Sequence, residues 1–163
     1  HTNSAIASIP RLVNIGLPPF MIAPALNTII AQRLVRRICL ACQKIEPIST
    51  AETDEIKKII ESIKKVCPSL ESSADLIVPT LLPRAVGCDI CSHTGYKGRI
   101  CVVEILELDF EMRDLILNKM SSTKMLEAAR RKGMLTMRED GILKVLKGLT
   151  TLEEVHRVTA IVE

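Results

Sequence analysis

Aromatic residues are nearly missing from this chain: two Phe, one Tyr and no Trp in 163 residues. Stacking platforms for single-stranded nucleic acid are therefore almost absent. A formal charge of only +3 adds little to a nucleic-acid reading. Long apolar runs are lacking too. The most apolar stretch, 17–30, is broken by Pro18, Pro19, Pro24 and Asn27, well short of the ~18–20 residues that span a bilayer. Glycine is scarce, at seven. No G-x-x-x-x-G-K-[ST] phosphate loop, G-x-G-x-x-G or G-x-S-x-G occurs. Taken alone, the chain contains no catalytic machinery of these kinds.

What is present is aliphatic. Hydrophobic residues make up 47%, enough to build the core of one domain, or of a small domain plus a subdomain. Six cysteines are present, and four of them form two C-x-x-C pairs, Cys39-Leu-Ala-Cys42 and Cys88-Asp-Ile-Cys91. This spacing lets two thiolates from one tight turn reach the same ion, and two such turns close a tetrahedral shell around Zn²⁺. Three disulfides in a secreted protein are the other use of six cysteines. Without a signal peptide in view, the pairs favour metal in a reducing, cytoplasmic compartment. A further competing reading is four buried free thiols, or a site that has lost its metal. Four Cys fill the shell, so the expected metal is structural; a catalytic zinc keeps a position open. His93 is the obvious substitute ligand, and a turn histidine beside Gly95 is its ordinary role. Cys67 and Cys101 belong to neither pair, and Cys101 reads as a small core residue.

Local patterns place these residues. Ser4 to Asn14 reads as a helix capped by Asn3 or Ser4 and stopped by Gly16, with its regular part beginning near Pro10. Pro24 opens a second expected helix, whose apolar face is Leu26, Ile29, Ile30 and Leu34 and which runs into the first cysteine pair. Arg33, Arg36 and Arg37 lie mostly off that face, as a solvated surface or a site for phosphate or an acidic partner. Ser49-Thr-Ala-Glu52 is a capping box opening an amphipathic helix with Ile56, Ile59, Ile60, Ile63 and Val66, ended by Cys67-Pro68. Residues 69–83 show no period and read as irregular. Ile100 to Leu106 is the best strand, with Glu104 a lone acid inside it. Helices are then expected over 110–118, 123–132 and 136–146, with Gly141 weakening the last, and a final helix starts at Thr150-Thr-Leu-Glu153.

Particular segments also match a known pattern. His1-Thr-Asn-Ser opens the chain, followed by Arg11-Leu-Val-Asn-Ile-Gly16, Pro19-Phe20 and Gln32-Arg-Leu-Val-Arg36. Gly87-Cys88-x-x-Cys91-x-x-Thr94-Gly95-Tyr96-x-Gly98-Arg99 is the most specific stretch. Gly148-x-Thr150-Thr151-x-Glu153-Glu154-Val155-x-Arg157-Val158-Thr159 continues it. Together they resemble the C-terminal part of the type II secretion and type IV pilus assembly ATPases, over nearly the whole chain and least between 46 and 83.

The resemblance implies a helix-rich α/β fold. Residues 1–37 would be the closing part of a RecA-like P-loop ATPase domain, 38–98 a tetracysteine zinc subdomain, and 99–163 a strand plus C-terminal helical subdomain. It implies structural Zn²⁺ on Cys39, Cys42, Cys88 and Cys91, and His1 as the histidine of a box near the γ-phosphate of ATP. ATP and Mg²⁺ would bind the full-length parent, a hexamer driving pseudopilus or pilus assembly. The parent would be cytoplasmic and held peripherally at the inner membrane by a platform protein. A chain beginning at the box, without the phosphate loop, is expected not to hydrolyse ATP alone. The rivals are a free-standing zinc module that binds protein or nucleic acid, and a degenerate structural subunit.

Overall fold

The computed structural model describes residues 2–70 and 76–160, which form a mixed α/β arrangement. In chain order these carry α1 (Ala5–Asn14), α2 (Pro19–Ala25), β1 (Thr28–Ile38), β2 (Lys44–Pro47), α3 (Thr50–Val66) and β3 (Leu81–Arg84). Then follow β4 (Tyr96–Glu107), α4 (Phe110–Leu117), α5 (Ser122–Arg131), α6 (Met137–Leu146) and α7 (Leu152–Thr159). Two compact units emerge. One combines the residues up to Gln32 with Val103–Met137, and the other combines Arg33–Val102 with the residues from Arg138 onward.

The first unit has an aliphatic core, as the shortage of aromatics requires. Ile6, Ile9, Ile22, Leu106, Leu108, Met112, Ile116, Met125 and Met134 cluster there, with Ile29 and Ala31 packed against them. Helix α1 spans the expected residues with Ser4 as its cap, and it is already regular five residues before Pro10. Two groups hold its first turn: the Ser4 hydroxyl accepts from Ala7 N–H, and the Glu104 carboxylate accepts from Ala5 N–H at 2.8 Å. With the N-terminus fixed, the helix tolerates the bond that Pro10 cannot make. Gly16 then leaves the helix with φ +98.

The helix expected from Pro24 is instead a strand. Pro24 lies near the end of α2, and Thr28–Ile38 pairs with β4 in a two-stranded sheet. Bonds from Leu108 N–H to Asn27 C=O and from Cys39 N–H to Gly95 C=O make the pair antiparallel. The i, i+3, i+4 apolar spacing was present, but Thr28, Ile29, Ile30, Val35 and Ile38 are β-branched. Their packing on a pleated surface outweighs a periodicity shared by only four residues.

In the second unit α3 is as expected: Ser49 and Glu52 form the reciprocal capping box, and Ile56, Ile60 and Ile63 are buried. Burying each isoleucine contributes about 2 kcal/mol. Residues 71–75 lie outside the described residues, but β3 begins within the segment expected to be irregular over 69–83. Its antiparallel register with β2 runs from Lys44 opposite Arg84 to Pro47 opposite Leu81. Four-residue strands holding Pro47 and Pro83 carry too little alternation to be seen in sequence.

The helices of the tail form where expected. A buried carboxylate connects the last of them, α7, to β1. Glu154, 1% exposed, accepts from Arg36 N–H, from the Arg36 guanidinium and twice from Arg157. Burial opposes its charge, yet the two guanidiniums and the Arg36 N–H hold it at about 2. The Arg36 guanidinium also lies 4.2 Å from the centre of the Tyr96 ring, and the Tyr96 hydroxyl meets Thr151 Oγ1 at 2.9 Å. Arg36 is thereby held between Glu154 and Tyr96.

Gly141 serves packing. A Cβ there would lie 2.7 Å from Val155 Cγ1 and 3.0 Å from Cγ2. Gly141→Ala is expected to destabilise this chain by about 1–3 kcal/mol, although alanine ordinarily gains about 1 kcal/mol over glycine inside a helix. Thermal unfolding reads the sign: an unchanged or raised midpoint contradicts this close approach.

Candidate metal centre

The two C-x-x-C turns are brought together by the elements flanking them. β1 delivers Cys39 and β2 begins just after Cys42. β3 ends before Cys88, and β4 begins after Cys91. The β2–β3 register therefore places the first turn beside the second across a long loop that α3 fills. Arg84 fixes that loop to α3 with two bonds to the Glu52 carboxylate, at 2.6 and 2.8 Å. The pair holds Glu52 down at about 2.

At this junction all four sulfurs lie within 4.8 Å of one another. Cys91 Sγ is 3.8 Å from both Cys42 Sγ and Cys88 Sγ. A tetrahedron with metal–sulfur distances of about 2.3 Å has edges of about 3.8 Å. The four thiols could thus hold one metal ion, with no change of ligand set. Cys39 and Cys91 are buried, and Cys42 and Cys88 are half-buried.

Backbone donors complete the site. Gly87 N–H donates to Cys42 Sγ at 3.3 Å, while Cys88 N–H and Gly95 N–H each donate to Cys91 Sγ at 3.2 Å. Such bonds to sulfur stabilise thiolate and orient it toward a metal. Their effect is uneven. Burial pushes the Cys42 thiol up to about 11, and the neighbouring thiols add to the rise against the Gly87 N–H. Cys91 is also opposed by burial, but the Cys88 and Gly95 N–H groups and two thiols bring it down to about 6. A bound cation draws all four toward thiolate.

The glycines in this turn are required by shape. Gly87 has φ +124, and a Cβ on it would lie 2.7 Å from the His93 carbonyl oxygen. Gly95 has φ +77, and its Cβ would lie 2.7 Å from that of Ala85. Their N–H groups reach sulfur because no side chain intervenes. The sequence carried this signal as glycines flanking the second cysteine pair, although their role as donors was not read from it.

His93 is not drawn in. Its ring is 77% exposed and its Nε2 faces Asp89 Oδ1 at 3.1 Å. Cys67 and Cys101 also stand outside the four-sulfur group. Cys67 closes α3 by donating its N–H to Ile63 C=O, and Cys101 is half-buried on β4. His1 lies outside the described residues. Among the described residues no helix is long and apolar enough to cross a membrane.

Residues 1–157 match the family of type II/IV secretion system proteins. The chain belongs to that family. It is 43% identical over 155 residues to the type IV pilus assembly ATPase PilB of Thermus thermophilus, covering 95% of this chain and 16% of that protein. Against type II secretion system protein E of Pseudomonas aeruginosa, identity is 42% over 159 residues, covering 98% of this chain and 28% of that protein. The type II secretion system ATPase E of Vibrio cholerae is 38% identical over 159 residues, with the same two shares. The chain thus spans between 16% and 28% of the length of these relatives. The secretion-family match contains both cysteine pairs and the Glu154 network.

The metal reading has a direct check. Cys91→Ser is expected to lose most of the bound metal and to lower the thermal midpoint. Excess chelator should lower the midpoint of the native chain and leave that of the variant unmoved. Equal insensitivity of both proteins contradicts a metal-held junction.

Proposed function

We propose that these residues are the C-terminal region of a hexameric motor ATPase that couples ATP hydrolysis to pseudopilus or pilus assembly. The observation that carries the reading is the four-sulfur junction inside a chain matched almost end to end by secretion and pilus-assembly ATPases. Residues 1–37 would be the closing part of a RecA-like domain, 38–98 the zinc subdomain, and 99–163 a strand plus C-terminal helical subdomain. Zn²⁺ would occupy the junction, held by Cys39, Cys42, Cys88 and Cys91. The thiolate set and its tetrahedral spacing suit that ion, and the absence of a fifth position suits a structural role.

His1 would be the box histidine acting near the γ-phosphate of ATP. Phosphate binding and Mg²⁺ binding would reside in a phosphate loop and acidic residues that this sequence does not contain. The zinc-held junction would keep a rigid surface for the inner-membrane platform protein, and the parent would work on the cytoplasmic side of that membrane.

Two preparations test the reading. The 163-residue chain is expected to show no ATP turnover, whereas the full-length protein, with its phosphate loop, hydrolyses ATP. Metal-independent turnover by the 163-residue chain alone would sink the assignment of the chemistry to other residues. A full-length protein inert toward ATP would sink the motor reading.

A further inference from the structure

Metal ligands keep their positions through the groups that hold them from behind. Near the end of β1, three residues before Cys39, Arg36 is fixed on both backbone groups and on its side chain. Its N–H donates to Glu154 Oε2 at 2.9 Å, and its guanidinium donates to Oε1 at 2.6 Å. Its C=O accepts from the Thr150 hydroxyl at 2.8 Å. Directly before the first ligand, Ile38 N–H donates to Leu149 C=O at 3.1 Å. The last stretch of β1 is therefore bonded to residues 149–154 by backbone and side chain alike.

The second cysteine turn joins the same set of contacts. Gly95 N–H donates to Cys91 Sγ at 3.2 Å, and Gly95 C=O accepts from Cys39 N–H at 2.9 Å. The Thr94 hydroxyl donates to Cys91 C=O at 2.6 Å and accepts from Tyr96 N–H at 3.3 Å. Tyr96 in turn carries the Arg36 guanidinium over its ring, and its hydroxyl meets Thr151 Oγ1. Thr151 is buried and caps α7. One path of bonds thus runs from Cys39 and Cys91 through Arg36 and Tyr96 to Glu154 on α7, all within the second unit. An aliphatic side chain at position 154 could be buried as well, but it would hold neither the Arg36 N–H nor its guanidinium.

We propose that Glu154 is a positioning residue for the four-sulfur centre: by holding Arg36 it presets Cys39 and Cys91 for the metal and couples metal binding to helix α7. The proposal rests on the metal reading given above. It assigns Glu154 no contact with the ion. Its effect passes through the outer partners of the ligands, whose loss typically costs about 10–100-fold in metal affinity.

The test measures zinc affinity of the full-length protein in competition with a chromophoric chelator. Glu154→Gln is expected to weaken zinc binding about 10–100-fold. Ile116→Val lowers stability through the core of the first unit, and is expected to bind zinc as the native protein does. Native affinity in Glu154→Gln, or an equal loss in Ile116→Val, overturns the proposal. Coupling is reciprocal, so zinc added to the metal-stripped protein is expected to slow amide exchange in α7 as well as in the cysteine turns. In Glu154→Gln the slowing should stay in the turns. Slowing confined to the turns of the native protein also overturns the proposal. If Glu154→Gln does not fold, Arg36→Leu carries both measurements, because it removes the guanidinium from Glu154 and Tyr96 and keeps the backbone N–H. If the native protein binds no zinc, the metal reading fails and this proposal falls with it. That outcome is distinct from native affinity in the variant, which removes only the role of Glu154.

Discussion

Four sulfurs from two turns must meet in one small volume, and the second unit is arranged around that requirement. Cys42 and Cys88 are separated by a loop long enough for its closure to carry a substantial entropic cost. The pairing of β2 with β3 meets part of that cost, and the ion pair of Arg84 with Glu52 secures α3 within the loop. Neither feature by itself brings thiols to tetrahedral spacing. Gly87 and Gly95 orient two of the sulfurs, those of Cys42 and Cys91, and they require backbone conformations that a side chain would obstruct.

Buried carboxylates do a second kind of joining. Glu154 and Glu104 both sit where an aliphatic residue would be expected, and both accept backbone N–H groups from segments remote in sequence. The balance differs between them. Two guanidiniums keep Glu154 strongly acidic, whereas Glu104 relies on N–H dipoles and burial wins. An aliphatic side chain packs without direction, while a carboxylate fixes the partner and its geometry. In a chain with almost no aromatic residues, such directional contacts add specificity to a core of interchangeable methyl groups.

Much of this was legible in the residues. The C-x-x-C spacing pointed to the four-sulfur group because its geometry is local to each turn. The Ser49–Glu52 capping box and the isoleucine spacing placed α3, since both signals repeat within a single element. β1 was misread because its apolar residues fit a helical stripe, while the evidence against a helix lay in its pairing with β4. β2 and β3 were missed for the same reason, being too short to carry a pattern without each other. Arg36 read either as part of a solvated surface or as a site for phosphate or an acidic partner, and Glu104 as a lone acid in a strand. Each is defined by a partner more than ninety residues away, Glu154 for one and Ala5 for the other. Gly141 read as a weak point, and only its approach to Val155 gives it a reason.

The chain belongs to the type II/IV secretion system family, and its four-sulfur junction lies within the matched residues. The account then stands on the identity of the group that the four sulfurs hold. X-ray absorption at the zinc edge, on protein purified without added metal, tests it most directly. The account predicts one zinc per chain with a shell of four sulfurs at about 2.3 Å. A shell containing nitrogen or oxygen, or protein that folds and functions without metal, would contradict it.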